Sequence, residues 1–136
     1  MRVLFLCVHN SGRSQMAEAF LRELAGDRGM EIESCSAGTL GGTPINPAAL
    51  AAMQEIGISM ESQFPKQLTS EMSASADRII SMGCGVDQSQ CPARFLVTED
   101  WGLDDPAGQP VEVVREIRDQ IRARVEILLD ELAREA

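Results

Sequence analysis

The distribution of apolar positions along the chain predicts strands and helices that alternate. Residues 2–7 form an almost unbroken apolar run, which is typical of a strand buried on both faces. Apolar residues at helical spacing predict a helix over residues 14–25, and a second strand is expected over residues 31–37. A second helix should begin at Asn46-Pro47, a cap and first-turn signature, and continue to Glu55.

The second half of the chain predicts two further strands and a long final helix. Residues 59–75 are irregular, and we expect a loop with a short helix there. Residues 77–82 and 95–97 predict the third and fourth strands. Beyond Pro110, apolar residues recur on one helical face: Val114, Ile117, Ile121, Val125, Leu128 and Leu132.

This order of elements predicts an α/β fold: a single domain over residues 1–136, with a four-stranded parallel sheet flanked by helices. No internal repeat or linker-like stretch divides the chain. In such sheets, ligands bind beyond the carboxyl ends of the strands. Cys7 ends the first predicted strand and Cys84 follows the third, so both should open onto the same crevice.

Composition narrows the class of protein. The chain has 136 residues, 44% of them hydrophobic, with a net charge of −9. That charge argues against a nucleic acid partner and against an anionic membrane surface. We find neither a membrane-length apolar run nor a signal-peptide pattern, and we expect a cytoplasmic monomer. In that compartment the four cysteines favour catalysis or metal binding over a disulfide framework.

The segment from Cys7 to Arg13 carries the most specific chemistry. It stands where a strand should turn into a helix, so loop amides and a helix N-terminus converge on one point and favour an anion there. The Arg13 guanidinium can pair with two anion oxygens, and the same field should favour the thiolate of Cys7 as a nucleophile. We therefore predict nucleophilic attack by sulfur at a phosphate-like centre. The predicted oxyanion-binding residues are Val8, His9, Asn10, Ser11, Gly12, Arg13 and Ser14.

Individual residues of this loop have different expected roles. Gly12 should let the backbone approach a ligand closely, and Asn10 tolerates a left-handed conformation. His9 is the only histidine of the chain. Its position in the loop is as compatible with an exposed residue without a catalytic role as with a catalytic one.

The other cysteines leave several interpretations open. Cys84 and Cys91 are seven positions apart in a polar, glycine-containing segment, without the second pair expected of a zinc site. A dithiol–disulfide pair is favoured over two unrelated thiols. Cys35 falls within the second predicted strand, and we predict that it is a packed, unreactive thiol. Asp104 and Asp105 precede Pro106 in a loop, where a carboxylate can donate a proton to a leaving oxygen.

With these residues in hand, the chain resembles the thioredoxin-coupled arsenate reductases of the low-molecular-weight tyrosine phosphatase superfamily. The resemblance covers essentially the whole chain, and its motifs are specific because a phosphatase-type loop is combined with two further cysteines. The segments that carry it are CVHNSGRSQMAE at residues 7–18, Ser36-Ala37-Gly38, Asn46-Pro47, Cys84, Cys91-Pro92 and WGLDDPAG at residues 101–108.

The resemblance implies a relay of three cysteines with arsenate as the substrate. The Cys7 thiolate attacks arsenic and Asp105 protonates the departing oxygen. Cys84 then attacks the Cys7 sulfur, arsenite leaves, and Cys91 resolves the disulfide by attacking Cys84. Thioredoxin would reduce the final Cys84–Cys91 pair, and Arg13 would hold the anion throughout.

Two features depart from that pattern. Residues 82–86 are similar to those of reductases coupled to a small thiol such as mycothiol, so mycothiol or glutaredoxin is an alternative donor. No tightly bound cofactor is expected, although some members of the family bind a monovalent cation such as K⁺. Asn10, Glu18 and Ser36 match positions used there, and the remaining ligand position falls within residues 62–68. Replacement of the ion by the nearby Lys66 is the alternative.

Two other functions remain open at this point. A protein tyrosine phosphatase would use Cys7, Arg13 and Asp105 alone, but Ala107-Gly108 follows where such enzymes carry aromatic residues. A non-catalytic arsenite-binding module would use the thiols as soft ligands and would have no need of Arg13.

Overall fold

The computed structural model describes residues 1–40, 44–83 and 99–135. Its strands are β1 (Arg2–Cys7), β2 (Glu33–Gly38), β3 (Arg78–Ser81) and β4 (Glu99–Asp100). Its helices are α1 (Arg13–Asp27), α2 (Pro47–Glu55), α3 (Ser70–Ser75) and α4 (Val111–Glu135).

The strands form a four-stranded sheet in the order β2-β1-β3-β4, and every pairing is parallel. This confirms the predicted α/β fold. The chain moves from β1 to β2 on one side and then crosses β1 to reach β3 on the other. The carboxyl end of β1 is therefore the switch point of the sheet, where parallel α/β folds place their ligands.

Alternate residues of β1 face two different apolar clusters, as the pleat of a strand requires. Val3 and Phe5 pack with α1, α2 and α4, while Leu4 and Leu6 pack with Leu68 on the opposite face. All four of these β1 side chains have no exposed surface. Packing on both faces therefore fixes the register of β1. It also fixes the position of Cys7, the last residue of β1, at the carboxyl end of the sheet.

The predicted helices over residues 14–25, 46–55 and beyond Pro110 are present, with small differences at their ends. Asn46 caps α2, because its Oδ1 accepts a hydrogen bond of 2.9 Å from the Ala48 amide. The predicted stripe of α4 is buried throughout, from Val114 to Leu132. The predicted strand at 95–97 lies outside the described residues, and β4 is described just beyond it.

Trp101 follows β4 and anchors that edge of the sheet against β1. Its ring centroid lies 5.5 Å from that of Phe5, and its indole Nε1 donates to Glu99 Oε2 at 3.1 Å. Within the described ranges, no helix is long and apolar enough to cross a membrane.

Candidate active site

A pocket of about 180 Å³ opens at the carboxyl end of β1, beside the N-terminus of α1. Cys7 is the last residue of β1 and Arg13 is the first residue of α1, so the loop between them forms the floor. The residues that line the pocket are Cys7, Val8, His9, Ser11, Gly12, Arg13 and Asp105.

Two polar groups approach the Cys7 sulfur. The Asn10 amide donates to it at 3.1 Å, and Ser14 Oγ lies 2.8 Å away. Ser14 Oγ also accepts a hydrogen bond of 2.8 Å from Asn10 Nδ2. Because Ser14 is already an acceptor there, its own hydrogen is available to the sulfur, an arrangement that stabilises a thiolate.

Asn10 is buried behind the sulfur and adopts the left-handed conformation that an asparagine tolerates, with φ 55°. Its Oδ1 accepts hydrogen bonds of 2.9 Å from the Lys66 amide and from Gln15 Nε2. A backbone amide can only donate, so this contact fixes which end of the Asn10 side chain is the oxygen. Asn10 thus supports the loop and the thiolate and does not line the pocket.

Gln15 extends this network to the loop that precedes Lys66. Its Nε2 donates to Phe64 O at 3.0 Å, and Gln63 Nε2 donates to Gln15 Oε1 at 2.7 Å. Gln15 has no exposed surface. The sequence pattern does not predict these roles of Gln15 and Gln63, since Phe64 and Gln63 are distant from Gln15 in sequence.

Arg13 is only 7% exposed, and its guanidinium is oriented by main-chain carbonyls. Nη1 donates to Leu103 O at 2.6 Å and to Met82 O at 3.3 Å. Nη2 lies 3.9 Å from Asp105 Oδ2. One nitrogen is therefore anchored in the protein, while the guanidinium presents its charge to the pocket.

Asp105 is the acid that lines the pocket, and Asp104 is exposed and is not part of the lining. Asp105 Oδ1 accepts from the Ala107 amide at 3.0 Å, which fixes the turn, while its side chain stays 64% exposed. Pro106 packs against Gly12, where an added Cβ would lie 3.1 Å from Pro106 Cγ. Glycine at position 12 thus accommodates the loop that carries Asp105, in addition to any close approach by a ligand.

The candidate cation residues Asn10, Glu18 and Ser36 lie behind the loop. Ser36 Oγ donates to Glu18 Oε1 at 2.7 Å, and Lys66 Nζ lies 3.7 Å from the same oxygen. Lys66 Nζ also donates to Phe64 O at 2.9 Å. Since an ammonium group already faces Glu18 and Asn10 Oδ1 has two donors, these residues do not fit a further cation, and we derive no step through one.

The remaining cysteines are placed differently. Cys84 and Cys91 lie outside the described residues. Cys35 lies in β2, where its Sγ donates to Val3 O at 3.4 Å. Burial raises the pKa of Cys35 to about 11, and the negative charge of Glu18 contributes to the same shift. A thiol of that kind is a poor nucleophile near neutral pH.

The fold and the site define a phosphatase-type domain, and the chain belongs to the low molecular weight phosphotyrosine protein phosphatase family, whose model matches residues 2–136. It is 36% identical over 133 residues to a glutaredoxin arsenate reductase from Synechocystis sp., covering 97% of this chain and 98% of that relative.

Two solved structures show the range of the family around this chain. A thioredoxin-dependent arsenate reductase from Corynebacterium glutamicum superposes with a TM-score of 0.78 at 34% identity, over 99% of this chain and 63% of that one. A low molecular weight protein tyrosine phosphatase from T. tengcongensis superposes with a TM-score of 0.82 at 27% identity, over 96% of this chain and 99% of that one.

Proposed function

We propose that the protein is a cytoplasmic arsenate reductase in which Cys7 is the nucleophile. The observation that carries this proposal is the buried Cys7 sulfur, which lies within hydrogen-bond distance of the Asn10 amide and Ser14 Oγ at the floor of a pocket that Arg13 also lines. The similarity to reductases reported above over nearly the whole chain supports arsenate as the oxyanion.

The first step uses residues that line the pocket. Arsenate enters with its charge facing Arg13 and the loop amides, and the Cys7 sulfur forms a bond to arsenic. The hydroxyl group of hydrogen arsenate leaves arsenic and takes a proton from Asp105, so that it departs as water. Arg13 is already oriented by Leu103 O and Met82 O, and its charge therefore needs little rearrangement to stabilise the transition state.

The second step reduces arsenic and needs further thiols. Cys84 attacks the Cys7 sulfur, a sulfur–sulfur bond forms, and the electron pair of the sulfur–arsenic bond passes to arsenic. Arsenic(V) becomes arsenic(III), and arsenite leaves. Cys91 then attacks Cys84, which frees Cys7 and leaves a Cys84–Cys91 disulfide. The order of these thiols is our proposal, supported by the spacing of the cysteines and by the resemblance to three-cysteine reductases.

Thioredoxin is our proposed donor for the last step. The seven-residue spacing of Cys84 and Cys91 supports it, as does the similarity to the thioredoxin-dependent enzyme of C. glutamicum. The Synechocystis relative is named for glutaredoxin, so glutaredoxin is the donor to compare with it. Either donor would exchange its thiols with the disulfide of the relay.

The pocket also favours a second activity, the hydrolysis of phosphate monoesters. Cys7, Arg13 and Asp105 are a complete set for forming and hydrolysing a phosphocysteine, and they need no further thiol. Phosphate and arsenate share shape and charge. A slow hydrolysis of small aryl phosphates is therefore expected alongside arsenate reduction.

The test is arsenate-dependent oxidation of NADPH. One assay supplies thioredoxin and thioredoxin reductase, a second supplies glutaredoxin with glutathione and glutathione reductase, and a third omits both donors. The Cys91→Ser variant should stop after one turnover and accumulate a Cys7–Cys84 disulfide, detectable by mass spectrometry. Turnover by Cys91→Ser at the parent rate would refute the three-thiol relay. Efficient aryl phosphate hydrolysis without any arsenate-dependent oxidation would favour the phosphatase.

A further inference from the structure

Asp100 does not line the pocket, yet its carboxylate joins the two chain segments that leave the sheet beside it. Asp100 Oδ1 accepts from Ser81 Oγ at 2.5 Å and from the Gly83 amide at 2.8 Å. Both donors belong to the exit of β3, while Asp100 ends β4. Hydrogen bonds to an ionised carboxylate are stronger than those between neutral groups, so this contact is well suited to hold the exit of β3.

The backbone around this carboxylate is closely packed. The Trp101 amide donates to Ser81 O at 2.9 Å, and the Leu103 amide donates to Met82 O at 3.1 Å. Gly83 has φ +82°, and a Cβ there would lie 2.6 Å from the Gly102 Cα and the Leu103 N. Residues 81–83 and 100–103 therefore run against each other without space for a side chain at Gly83.

These same segments hold the active-site arginine. Met82 O and Leu103 O are the two carbonyls that accept from Arg13 Nη1. The end of β3 that Asp100 secures is thus in direct contact with the residue that binds the anion. The next residue of the chain after Gly83 is Cys84, the second thiol of the proposed relay.

We propose that Asp100 is a positioning residue for the thiol relay, an inference that rests on the proposed function. By fixing the Gly83 amide, Asp100 restricts the peptide that leads to Cys84 and raises the effective concentration of the Cys84 thiol at the Cys7 sulfur. Restricting a chain before the reaction removes part of the entropy cost of bringing two groups together. Cys7, Arg13 and Asp105 perform the first step without Cys84, so that step does not require this thiol to be positioned.

The experiment measures the Cys7–Cys84 disulfide directly, without arsenate. In a parent carrying Cys35→Ser and Cys91→Ser, only Cys7 and Cys84 remain of the four cysteines. The protein is equilibrated in glutathione redox buffers, where the two thiols give two electrons and two protons to oxidised glutathione and form the disulfide. Acid quenching, alkylation and mass spectrometry give the equilibrium constant, which is an effective concentration.

Asp100→Ala should lower that effective concentration about tenfold, the loss expected for a hydrogen bond to a charged group. Asp100→Asn retains a carbonyl oxygen that can accept from Gly83 and should restore most of the effect. Glu116→Ala removes one exposed carboxylate from α4 and should leave the value at that of the parent. If Asp100→Ala does not fold, Asp100→Glu replaces it, since the extra methylene displaces the carboxylate, and the same direction is expected.

Aryl phosphate hydrolysis distinguishes an effect on the positioning of Cys84 from a general disturbance of the pocket. It uses Cys7, Arg13 and Asp105 but not Cys84. Because the segments that Asp100 secures also contact Arg13, kcat/KM in Asp100→Ala should fall, but much less than the effective concentration does. An equal fall in hydrolysis and effective concentration would overturn the proposal, because Asp100 would then support the whole pocket. An unchanged effective concentration, or a parent that forms no disulfide, would overturn it too. A parent that forms the disulfide in glutathione but not with arsenate would refute the reductase while leaving the role of Asp100 intact.

Discussion

Ser14 Oγ lies 2.8 Å from the Cys7 sulfur and receives a hydrogen bond of 2.8 Å from Asn10 Nδ2. Asn10 Nδ2 occupies one acceptor site of Ser14 Oγ, and the hydrogen of the Ser14 hydroxyl is available to donate to an ionised Cys7 sulfur, which can only accept. Replacing Ser14 with Ala should slow alkylation of Cys7 by iodoacetamide at neutral pH about tenfold, the effect of one hydrogen bond to an ion. Labelled Cys7 is counted by peptide mass spectrometry.

The matched control for Ser14→Ala is Ser59→Ala, which removes an exposed hydroxyl that does not line the pocket. Equal alkylation rates for the parent and Ser14→Ala would mean that the hydroxyl gives no stabilisation to the thiolate.

Arg13→Lys should reduce kcat/KM for the anionic substrate at least about a hundredfold, although the charge is kept, because a lysine cannot supply the planar fork of a guanidinium. Arg13 Nη1 contacts Leu103 O and Met82 O and leaves the other guanidinium nitrogens for the anion, whereas a lysine has one nitrogen for both tasks. Steady-state aryl phosphate hydrolysis measures the change. Arg124→Lys, at an exposed position of α4, is the control.

Lys66 is the only lysine of the chain, and its ammonium neutralises Glu18 behind the oxyanion loop. Lys66→Met should leave that buried carboxylate without a cation and lower the urea midpoint of unfolding. Added KCl should then restore part of the midpoint more effectively than a bulky cation such as tetramethylammonium at equal ionic strength. The parent should respond equally to both salts. An equal response of Lys66→Met to both salts would contradict the proposal that the Lys66 ammonium occupies the place of a cation beside Glu18.

Gly83 and Gly57 allow a matched comparison of two glycines that have nearly the same positive φ. Both have positive φ, +82° and +81°, but a Cβ at Gly57 meets nothing within 4 Å, whereas one at Gly83 lies 2.6 Å from backbone. Gly57→Ala should cost about 1 kcal/mol of stability from conformation alone. Gly83→Ala should cost at least about 2 kcal/mol more, because the close-packed backbone must move. Urea unfolding measures both, and equal losses would refute the close packing at Gly83.

The thiol of Cys35 should make stability fall at alkaline pH. Its pKa is raised in the fold from an ordinary 9.0 to about 11, mainly by burial. Above pH 9 the unfolded chain ionises while the fold keeps the thiol neutral. The contribution of this group is therefore complete below pH 9 and is lost as pH rises through about 11.

Cys35→Ala lacks this group, so the parent should lose stability relative to the variant across that interval. Urea unfolding at several pH values measures the difference, and parallel curves would contradict the shift. At neutral pH, Cys35→Ala should retain turnover, since this thiol has no part in the relay.

The features predicted correctly from sequence are those set by neighbouring residues. The apolar run of β1, the Asn46 cap and the stripe of α4 each depend on a local pattern, and so does the position of Cys7 at a strand end. The roles of Gln15, Gln63 and Asp100 depend on partners that only the folded chain brings together. Lys66 was placed near the cation residues by sequence, but its contact with Glu18 is a tertiary one.

Trp101 gives the protein a built-in optical reporter. It is the only tryptophan of the chain, it packs on Phe5 of β1, and it directly follows Asp100. Emission excited at the red edge of absorption therefore comes from one known position between the central strand and the exit of β4. Stopped-flow fluorescence of the unlabelled protein can follow each chemical stage that disturbs this position, in real time and without a coupled enzyme.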